Sequence, residues 1–329
     1  MITRRRLLIA FGAGALAVPL ASFAQQQPAK VHRIGFLGAA SALGIASRLE
    51  AFRAGLRDLG YVEGRNIFVD FRWAEGDYGR LPGLAAELVQ LKVDVIVTAG
   101  TPGVRAAKQA TATIPIVMAA SGDAVANGLV TNLARPGGNI TGSTFFQPEV
   151  LAKRVEIIKE AVPRITQVAF LLNPDNPANT GPTLRAVEIA ARTLKIGLQQ
   201  IAVRSPFEFE SAFLAMSAKR VNAIVTSEDP IAIANLRRIA DLAAKQRLVS
   251  IGAIESAEAG GLIGFGVNVP DLYRRAAYFI DKILKGAKPG DLPVEQPTTF
   301  ELVVNMKTAK ALGIKIPNSI LVRATKVIE

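Results

Sequence analysis

The sequence contains no cysteine, one histidine (His32) and one tryptophan, and aromatic residues make up only 6% of its 329 residues. Without cysteine the chain cannot form a disulfide, a zinc–thiolate site or a cysteine nucleophile. One histidine argues against a Ser-His-Asp triad and a multi-histidine metal site. The Gly-x-Ser-x-Gly elbow and the P-loop are absent as well. We therefore expect a protein that is not an enzyme and that holds no metal or other cofactor.

Basic residues outnumber acidic ones, and the formal net charge is +12. The basic residues are scattered, apart from pairs such as Arg237-Arg238 and Arg274-Arg275. They are not interleaved with aromatic residues, as a nucleic-acid-binding surface would require. We read the charge as a solvated basic surface and expect no nucleic-acid partner.

The N-terminus has the pattern of an export signal. Arginines at residues 4–6 precede an apolar stretch over residues 7–20, and small residues precede a cut after Ala24. The first two arginines follow a threonine, as in twin-arginine signals, although ordinary Sec export remains an alternative. Glycines and a proline interrupt the stretch, which is short for a membrane span. We expect a signal peptide over residues 1–24 that is cleaved, leaving the protein free in the periplasm.

From residue 31 onward, strand and helix patterns alternate. Residues 31–143 predict five buried strands with helices between them, the last of these helices being the short "VANGLVTNL" at residues 125–133. The rest of the chain repeats the alternation and includes a predicted helix over residues 231–246. Such a pattern is typical of an α/β fold with two doubly wound parallel sheets.

Two segments of the chain nearly repeat each other. "VDVIVTAGTP" at residues 93–102 and "VNAIVTSEDP" at residues 221–230 share five of ten positions. Further echoes follow both in the same order, "ANGLV" at residues 126–130 and "AGGLI" at residues 259–263. We interpret the echoes as two copies of one α/β unit.

Cap residues stand directly before proline at several predicted helix starts. A side-chain oxygen there accepts a hydrogen bond from an early backbone N–H, and proline tolerates the first helical position. Ser205 also has Glu208 three residues later, the spacing of a capping box. The residues predicted to act as caps are Thr101, Asn176, Ser205 and Asp229.

Ligands of open α/β sheets lie outside the carboxyl ends of the strands. Two facing sheets form a cleft that can close on a ligand by hinge motion, and helix N-termini behind the loops offer free N–H groups to a carboxylate. The loops predicted to line this cleft are short and polar, and they cover residues 38–41, 99–102, 121–123, 173–176, 227–229 and 253–255.

The chain resembles the exported solute-binding proteins of ABC importers, in the group of tryptophan/tyrosine-binding proteins. The resemblance is carried by "FRAGLRDLGYVEGRNIFVDFRWAEGD", "VDVIVTAGTPGVRAAKQATATIPIVMAASGDAVANGLV", "LARPGGNITG" and "FELVVNMKTAKALGIKIP". It implies the type I periplasmic-binding fold, with two Rossmann-like lobes of flavodoxin-like strand order, a three-segment hinge and a ligand cleft between the lobes. The implied lobes cover residues 31–145 plus about 266–297, and residues 146–265 plus about 298–329.

Several residues are candidates for ligand contact, and most have a plain structural alternative. Asp229 could pair with a ligand ammonium or simply cap the helix after it. Asp123 and Thr101 could likewise either line the cleft or cap the helix that follows. Trp73 could stack on an apolar ligand or pack in the core. The full set of predicted ligand-binding residues is Ser41, Trp73, Gly100, Thr101, Ser121, Asp123, Asn173, Asn176, Glu228, Asp229 and Glu255.

The resemblance implies a monomeric periplasmic receptor that binds a small organic solute, an amino acid or a related carboxylate. Its partners would be a permease and an ATPase of the inner membrane. Two alternatives remain at the level of sequence, namely a ligand sensor for a membrane signalling protein and, with less support, an exported enzyme on the same scaffold. A repressor of the related two-lobed kind is disfavoured, because the chain opens with an export signal and not with a DNA-binding helix pair.

Overall fold

The structure, a computed structural model, describes residues 31–329. The predicted signal peptide at residues 1–24 lies outside this range. Residues 32–329 form one compact unit built around two sheets. Within the described range, none of the helices combines the length and the apolar character needed to cross a membrane.

The first sheet has five strands in the order β2-β1-β3-β4-β5, and every pair of neighbours is parallel. This is the flavodoxin-like order, in which the chain reverses direction across the sheet next to the first strand. The strands are β1 (His32–Gly38), β2 (Ile67–Trp73), β3 (Val95–Ala99), β4 (Ile116–Gly122) and β5 (Ile140–Phe145).

The second sheet has seven strands in the order β12-β11-β10-β9-β8-β6-β7. Its strands from β6 to β10 repeat the order of the first sheet, while β11 pairs antiparallel with β10 and parallel with β12. The predicted fold class, with two doubly wound and mostly parallel sheets, is confirmed. The strands are β6 (Gln167–Leu172), β7 (Gly197–Ala202), β8 (Ala223–Thr226), β9 (Val249–Gly252), β10 (Ile263–Gly266), β11 (Glu301–Asn305) and β12 (Lys326–Ile328).

Helices cover the faces of both sheets and bury their apolar sides against them. The α-helices are α1 (Ala46–Asp58), α2 (Leu81–Gln90), α3 (Thr101–Ala110), α4 (Gln147–Ala161), α5 (Pro182–Thr193), α6 (Phe209–Ala218), α7 (Pro230–Ala234), α8 (Leu236–Lys245), α9 (Ile254–Glu258), α10 (Val269–Leu284), α11 (Met306–Leu312) and α12 (Asn318–Leu321).

The helix α10 follows the second sheet in the chain but packs on the first. Its Tyr273 and Phe279 lie in one apolar cluster with Phe36 of β1 and Phe52 of α1. The chain therefore passes from the second sheet back to the first after β10.

The two echoed strings occupy equivalent places. Residues 95–99 are β3, the third strand of the first sheet, and residues 223–226 are β8, the third strand of the repeated order in the second sheet. Val97 and Val225 are both fully buried, so the shared letters build the two cores. Three of the five positions that differ, residues 99–101 and 227–229, stand at the carboxyl edge of each sheet.

The predicted helix at residues 125–133 is wrong, since the structure has turns there. Asp123 accepts hydrogen bonds from the backbone N–H groups of Val125 and Ala126, as at a helix start. The backbone then enters the left-handed region at Gly128, where φ is 67°. A left-handed glycine closes a helical turn instead of extending it.

The predicted helix over residues 231–246 is divided into α7 and α8 at Asn235. The side-chain amide of Asn235 donates to the carbonyl of Ile231 at 2.8 Å, while its backbone N–H donates to Ala232. A side chain that takes the carbonyl four residues back competes with the helical hydrogen bond. The strand β12 was also missed, because it is short and mostly exposed.

Gly142 of β5 should not tolerate a side chain. Its φ is 122°, and a Cβ atom would lie 2.2 Å from the carbonyl oxygen of Met118 in β4. We expect Gly142→Ala to lower the free energy of unfolding by about 3 kcal/mol through backbone strain and overpacking. As a control, Gly83→Ala in α2, where a Cβ meets no atom within 4 Å, should raise it by about 0.5 kcal/mol. Urea unfolding followed by circular dichroism measures the stability of both variants. Equal stability of the two would contradict the backbone strain and close packing described at Gly142.

Candidate ligand-binding site

A cavity lies at the carboxyl ends of both sheets, where the loops after the strands meet. The ends of β1, β3, β4 and β5 form one wall, the loops after β6 and β8 form the other, and the first turns of α1, α4 and α10 complete the enclosure. The lining residues are Phe36, Leu37, Gly38, Ala39, Ala40, Ile45, Arg48, Ala99, Gly100, Thr101, Ala120, Ser121, Gly122, Phe145, Gln147, Asn176, Ala178, Glu228, Pro230, Ile233, Val269 and Tyr273.

Of the residues predicted from the sequence, the structure brings Gly100, Thr101, Ser121, Asn176 and Glu228 to this cavity. They come from three strand ends and one loop that are far apart in the chain. The cavity therefore depends on the doubly wound topology, which places the carboxyl ends of parallel strands at one edge.

The start of α3 forms one polar corner of the cavity. Its N-cap is Gly100, which has no side chain to cap the helix. Pro102 has no N–H, so the first turn of α3 offers the N–H groups of Thr101 and Gly103. Thr101 is the first residue inside α3 rather than its cap. Its hydroxyl lies 3.4 Å from that of Ser121. N–H groups and hydroxyls at a helix start form an environment suited to an anionic group.

The two echoed loops touch beside this corner. Gly100 has φ 77°, and a Cβ atom on it would lie 2.9 Å from Cγ of Pro230. Only glycine combines this backbone conformation with so close an approach. The contact joins the loop after β3 to the loop after β8.

Glu228 faces the cavity and is held from behind by Arg154 of α4. Arg154 is fully buried and donates to both carboxylate oxygens of Glu228. It also donates to the carbonyl of Thr226 at 2.6 Å and to that of Phe265 at 2.8 and 2.6 Å. A buried ion pair is tolerated only when the remaining donors and acceptors are also satisfied, and these carbonyls satisfy Arg154.

A second ion pair reaches the cavity from the side of α1. Arg48 lines the cavity and donates through Nε and Nη2 to one oxygen of Glu255, at 2.9 and 2.8 Å. Burial opposes ionisation of Glu255 and is the largest single influence on its pKa, but the charge and hydrogen bonds of Arg48, a backbone hydrogen bond and the charge of Arg154 together outweigh burial, and the pKa of the carboxyl is lowered. Within residues 31–329, the other oxygen of Glu255 has no hydrogen-bond partner. Glu255 thus acts on the cavity through Arg48 and is not itself a lining residue.

Asp229 lies behind the wall and not in the cavity. It is 2% exposed, and its oxygens accept from Tyr78 and Ile231 on one side and from Asn176 and Asn179 on the other. Burial raises the pKa of Asp229, although these donors oppose the effect. The cap that was predicted for Asp229 is formed, through Ile231.

The remaining predicted residues do not line the cavity and have other partners. Asp123 caps its turn, as described above, and Ser41 accepts from the N–H of Gly44 at 3.2 Å. Asn173 accepts from Asp175 in a turn. Trp73 packs against Phe36, with ring centres 5.4 Å apart.

Several lining residues were missed by the sequence reasoning, among them Arg48, Gln147 and Tyr273. Arg48 was detectable in principle, because it lies on the apolar face of its helix, one turn before Phe52. Arg154 shows the same signal between Leu151 and Ile158 on the buried face of α4. An arginine on an apolar face needs a partner inside the protein. The other missed residues carry no comparable signal.

Over the described residues, no group of three or more His, Asp or Glu side chains is gathered in a way that could hold a metal ion.

Two mostly parallel sheets with a cavity at their carboxyl ends define the class of periplasmic binding proteins, and solved ABC transporter solute-binding proteins share this architecture. The chain belongs to the family described as ABC transporter substrate binding protein, whose model matches residues 40–328. The family resemblance predicted from the sequence is confirmed.

Individual proteins show the same relationship. A tyrosine-binding protein of Clostridioides difficile (strain R20291) is 27% identical over 267 residues, which cover 81% of this chain and 76% of that protein. The structure of a conserved domain protein from Vibrio cholerae is 28% identical with a TM-score of 0.83, covering 91% of this chain and 100% of that one. An ABC domain from Streptococcus pneumonia in complex with L-Trp is 29% identical with a TM-score of 0.80, covering 90% and 100%.

The Arg154–Glu228 pair should be essential for stability. We expect Arg154→Met to lower the free energy of unfolding by about 3–5 kcal/mol, because it leaves a buried carboxylate without its counter-charge. The matched control is Arg57→Met, which removes an exposed partner of Glu50 and should cost less than about 0.5 kcal/mol. Chemical denaturation of both variants measures the difference. Similar losses for the two would show that the buried pair is not the stronger constraint.

Proposed function

We propose that this protein is the periplasmic receptor of an ABC importer and that it binds an amino acid with an apolar side chain. The observation that carries the proposal is the mixed character of the cavity. Among the described residues that line it, Glu228 is the only acid and Arg48 the only base. Each is neutralised from behind the wall, by Arg154 and Glu255 respectively. A cavity of balanced charge suits a zwitterion better than an ion of one sign.

The polar and apolar parts of the cavity match the parts of an amino acid. The hydroxyls of Thr101 and Ser121 and the start of α3 would receive the carboxylate, and Glu228 would receive the ammonium group by a charge-assisted hydrogen bond. Apolar walls would pack on the side chain, and they include Phe36, Phe145, Ile45, Ile233 and Val269. The names of two relatives, a tyrosine-binding protein and an L-Trp complex, support an aromatic amino acid.

Binding would proceed by closure of two lobes. We assign residues 31–145 plus about 266–297 to one lobe and residues 146–265 plus about 298–329 to the other. The end of β5 at Phe145 and the packing of α10 on the first sheet support this division. A ligand that contacts both walls favours the closed form, and the permease would read that form. The predicted signal peptide supports export to the periplasm.

Calorimetry with the purified protein tests the ligand class. We expect L-tryptophan or L-tyrosine to release heat on binding and to raise the melting temperature in a concentration-dependent way. A polyol such as myo-inositol serves as the control and should do neither. Stabilisation by the polyol without any effect of the amino acids would contradict the proposal.

Ligand analogues test the two charged contacts. Indole-3-propionate lacks the ammonium group of L-tryptophan, and tryptamine lacks its carboxylate. We expect each analogue to bind at least roughly tenfold more weakly than L-tryptophan, because each loses one charge-assisted hydrogen bond. In Glu228→Gln the difference between L-tryptophan and indole-3-propionate should shrink, while the difference from tryptamine should persist. Because the comparison is made within each variant, a loss of stability does not affect it. An unchanged difference in Glu228→Gln would remove Glu228 from the ammonium site.

A further inference from the structure

We infer that Tyr78 and Asp229 form a latch that holds the two lobes closed, and that Asp229 serves closure rather than ligand contact. The inference rests on the proposed two-lobe function. Tyr78 belongs to the segment between β2 and α2, in the first lobe, and Asp229 follows β8, in the second. The hydroxyl of Tyr78 donates to Oδ1 of Asp229 at 2.9 Å.

Tyr78 is placed to act between the lobes. Its ring packs against the apolar cluster around Leu81 and Val104 beside the first sheet, and also against the cluster around Phe209 and Ile231 beside the second. Burial, together with the nearby charge of Asp229, raises the pKa of Tyr78 well above its ordinary value. The hydroxyl therefore stays protonated and remains a donor.

The hydrogen bond from Tyr78 is the one bond that Asp229 accepts from the first lobe. Its other three donors, Ile231, Asn176 and Asn179, all belong to the second lobe. Opening of the lobes would remove only Tyr78 and would replace it with water. The hydrogen bond is thus made in the closed form alone, which is the property that a latch requires.

The latch is also connected to the cavity. Asn176 lines the cavity and donates to Oδ2 of Asp229 at 2.9 Å. Gln147, a second lining residue, donates to Oδ1 of Asn179 at 3.1 Å, and Asn179 donates to Asp229 at the same distance. A ligand that orders Asn176 or Gln147 would therefore order the acceptor of the latch.

The test compares two Tyr→Phe variants that each lose one hydrogen bond to a carboxylate. Tyr78→Phe removes the latch, and Tyr61→Phe removes the bond of Tyr61 to Asp281 of α10, which is 3.1 Å long and lies within the first lobe. Affinity for L-tryptophan and L-tyrosine is measured by calorimetry. Because the chain has no native cysteine, spin labels at Phe68→Cys and Leu214→Cys, two exposed positions on β2 and α6, report the lobe distance with and without amino acid.

We expect Tyr78→Phe to weaken amino-acid binding roughly tenfold, the worth of one hydrogen bond to a charged group, and to move the label distances to longer values. Tyr61→Phe should leave affinity and distances unchanged. Equal behaviour of the two variants in both measurements would overturn the latch. Failure of Tyr78→Phe alone to fold, seen by circular dichroism, would overturn it too, since the bond would then serve folding and not closure.

The same experiment separates the latch from the proposed ligand. A parent protein that binds neither amino acid contradicts the proposed function, but the label distances without ligand still test the latch. In that case the short-distance population should be smaller in Tyr78→Phe than in Tyr61→Phe. A labelled parent protein that shows no short label distances with or without amino acid would overturn the latch, because the lobes would then never come close enough to form the hydrogen bond.

Discussion

The interaction on which the cavity depends is the buried pair of Arg154 and Glu228. It holds the carboxylate at the cavity wall, and through the carbonyls of Thr226 and Phe265 it joins the ends of β8 and β10 to α4. A buried charge is tolerated only when its counter-charge is present and its remaining hydrogen-bonding groups have partners. One arginine thus positions an acid that faces the cavity and holds the strand end from which the chain leaves for α10.

The neighbouring pair of Arg48 and Glu255 follows the same rule but spans a different boundary. Arg48 lies on α1 beside the first sheet, and Glu255 lies in the first turn of α9 beside the second. In the two-lobe closure that we propose, their attraction would operate only while the two sides are together. Charge at the cavity therefore sets the polarity of its wall and links residues on its two sides.

The loop after β8 places two adjacent acids in different surroundings. Glu228 and Asp229 are adjacent in the chain, yet the first points into the cavity and the second is sealed behind it by Tyr78 and two asparagines. Because only one of the two acids faces the cavity, Glu228 and Arg48 leave the wall balanced in charge, which suits the zwitterionic ligand that we propose. Pro230, which follows these two acids, contacts Gly100 in the loop after β3.

The sequence by itself determined the α/β class and the equivalence of the two echoed segments, because periodicity and buried runs reflect local packing that each stretch carries with it. The strand order was implied only by the family resemblance. The sequence also pointed to loops at the strand ends, and Gly100, Thr101, Ser121, Asn176 and Glu228 do line the cavity. Only the tertiary structure decided that Asp229 faces away from the cavity and that Arg48 faces it. Those outcomes depend on partners between 150 and 210 residues away in the chain, Tyr78 and Glu255, and no local pattern records which distant side chain will satisfy a buried charge.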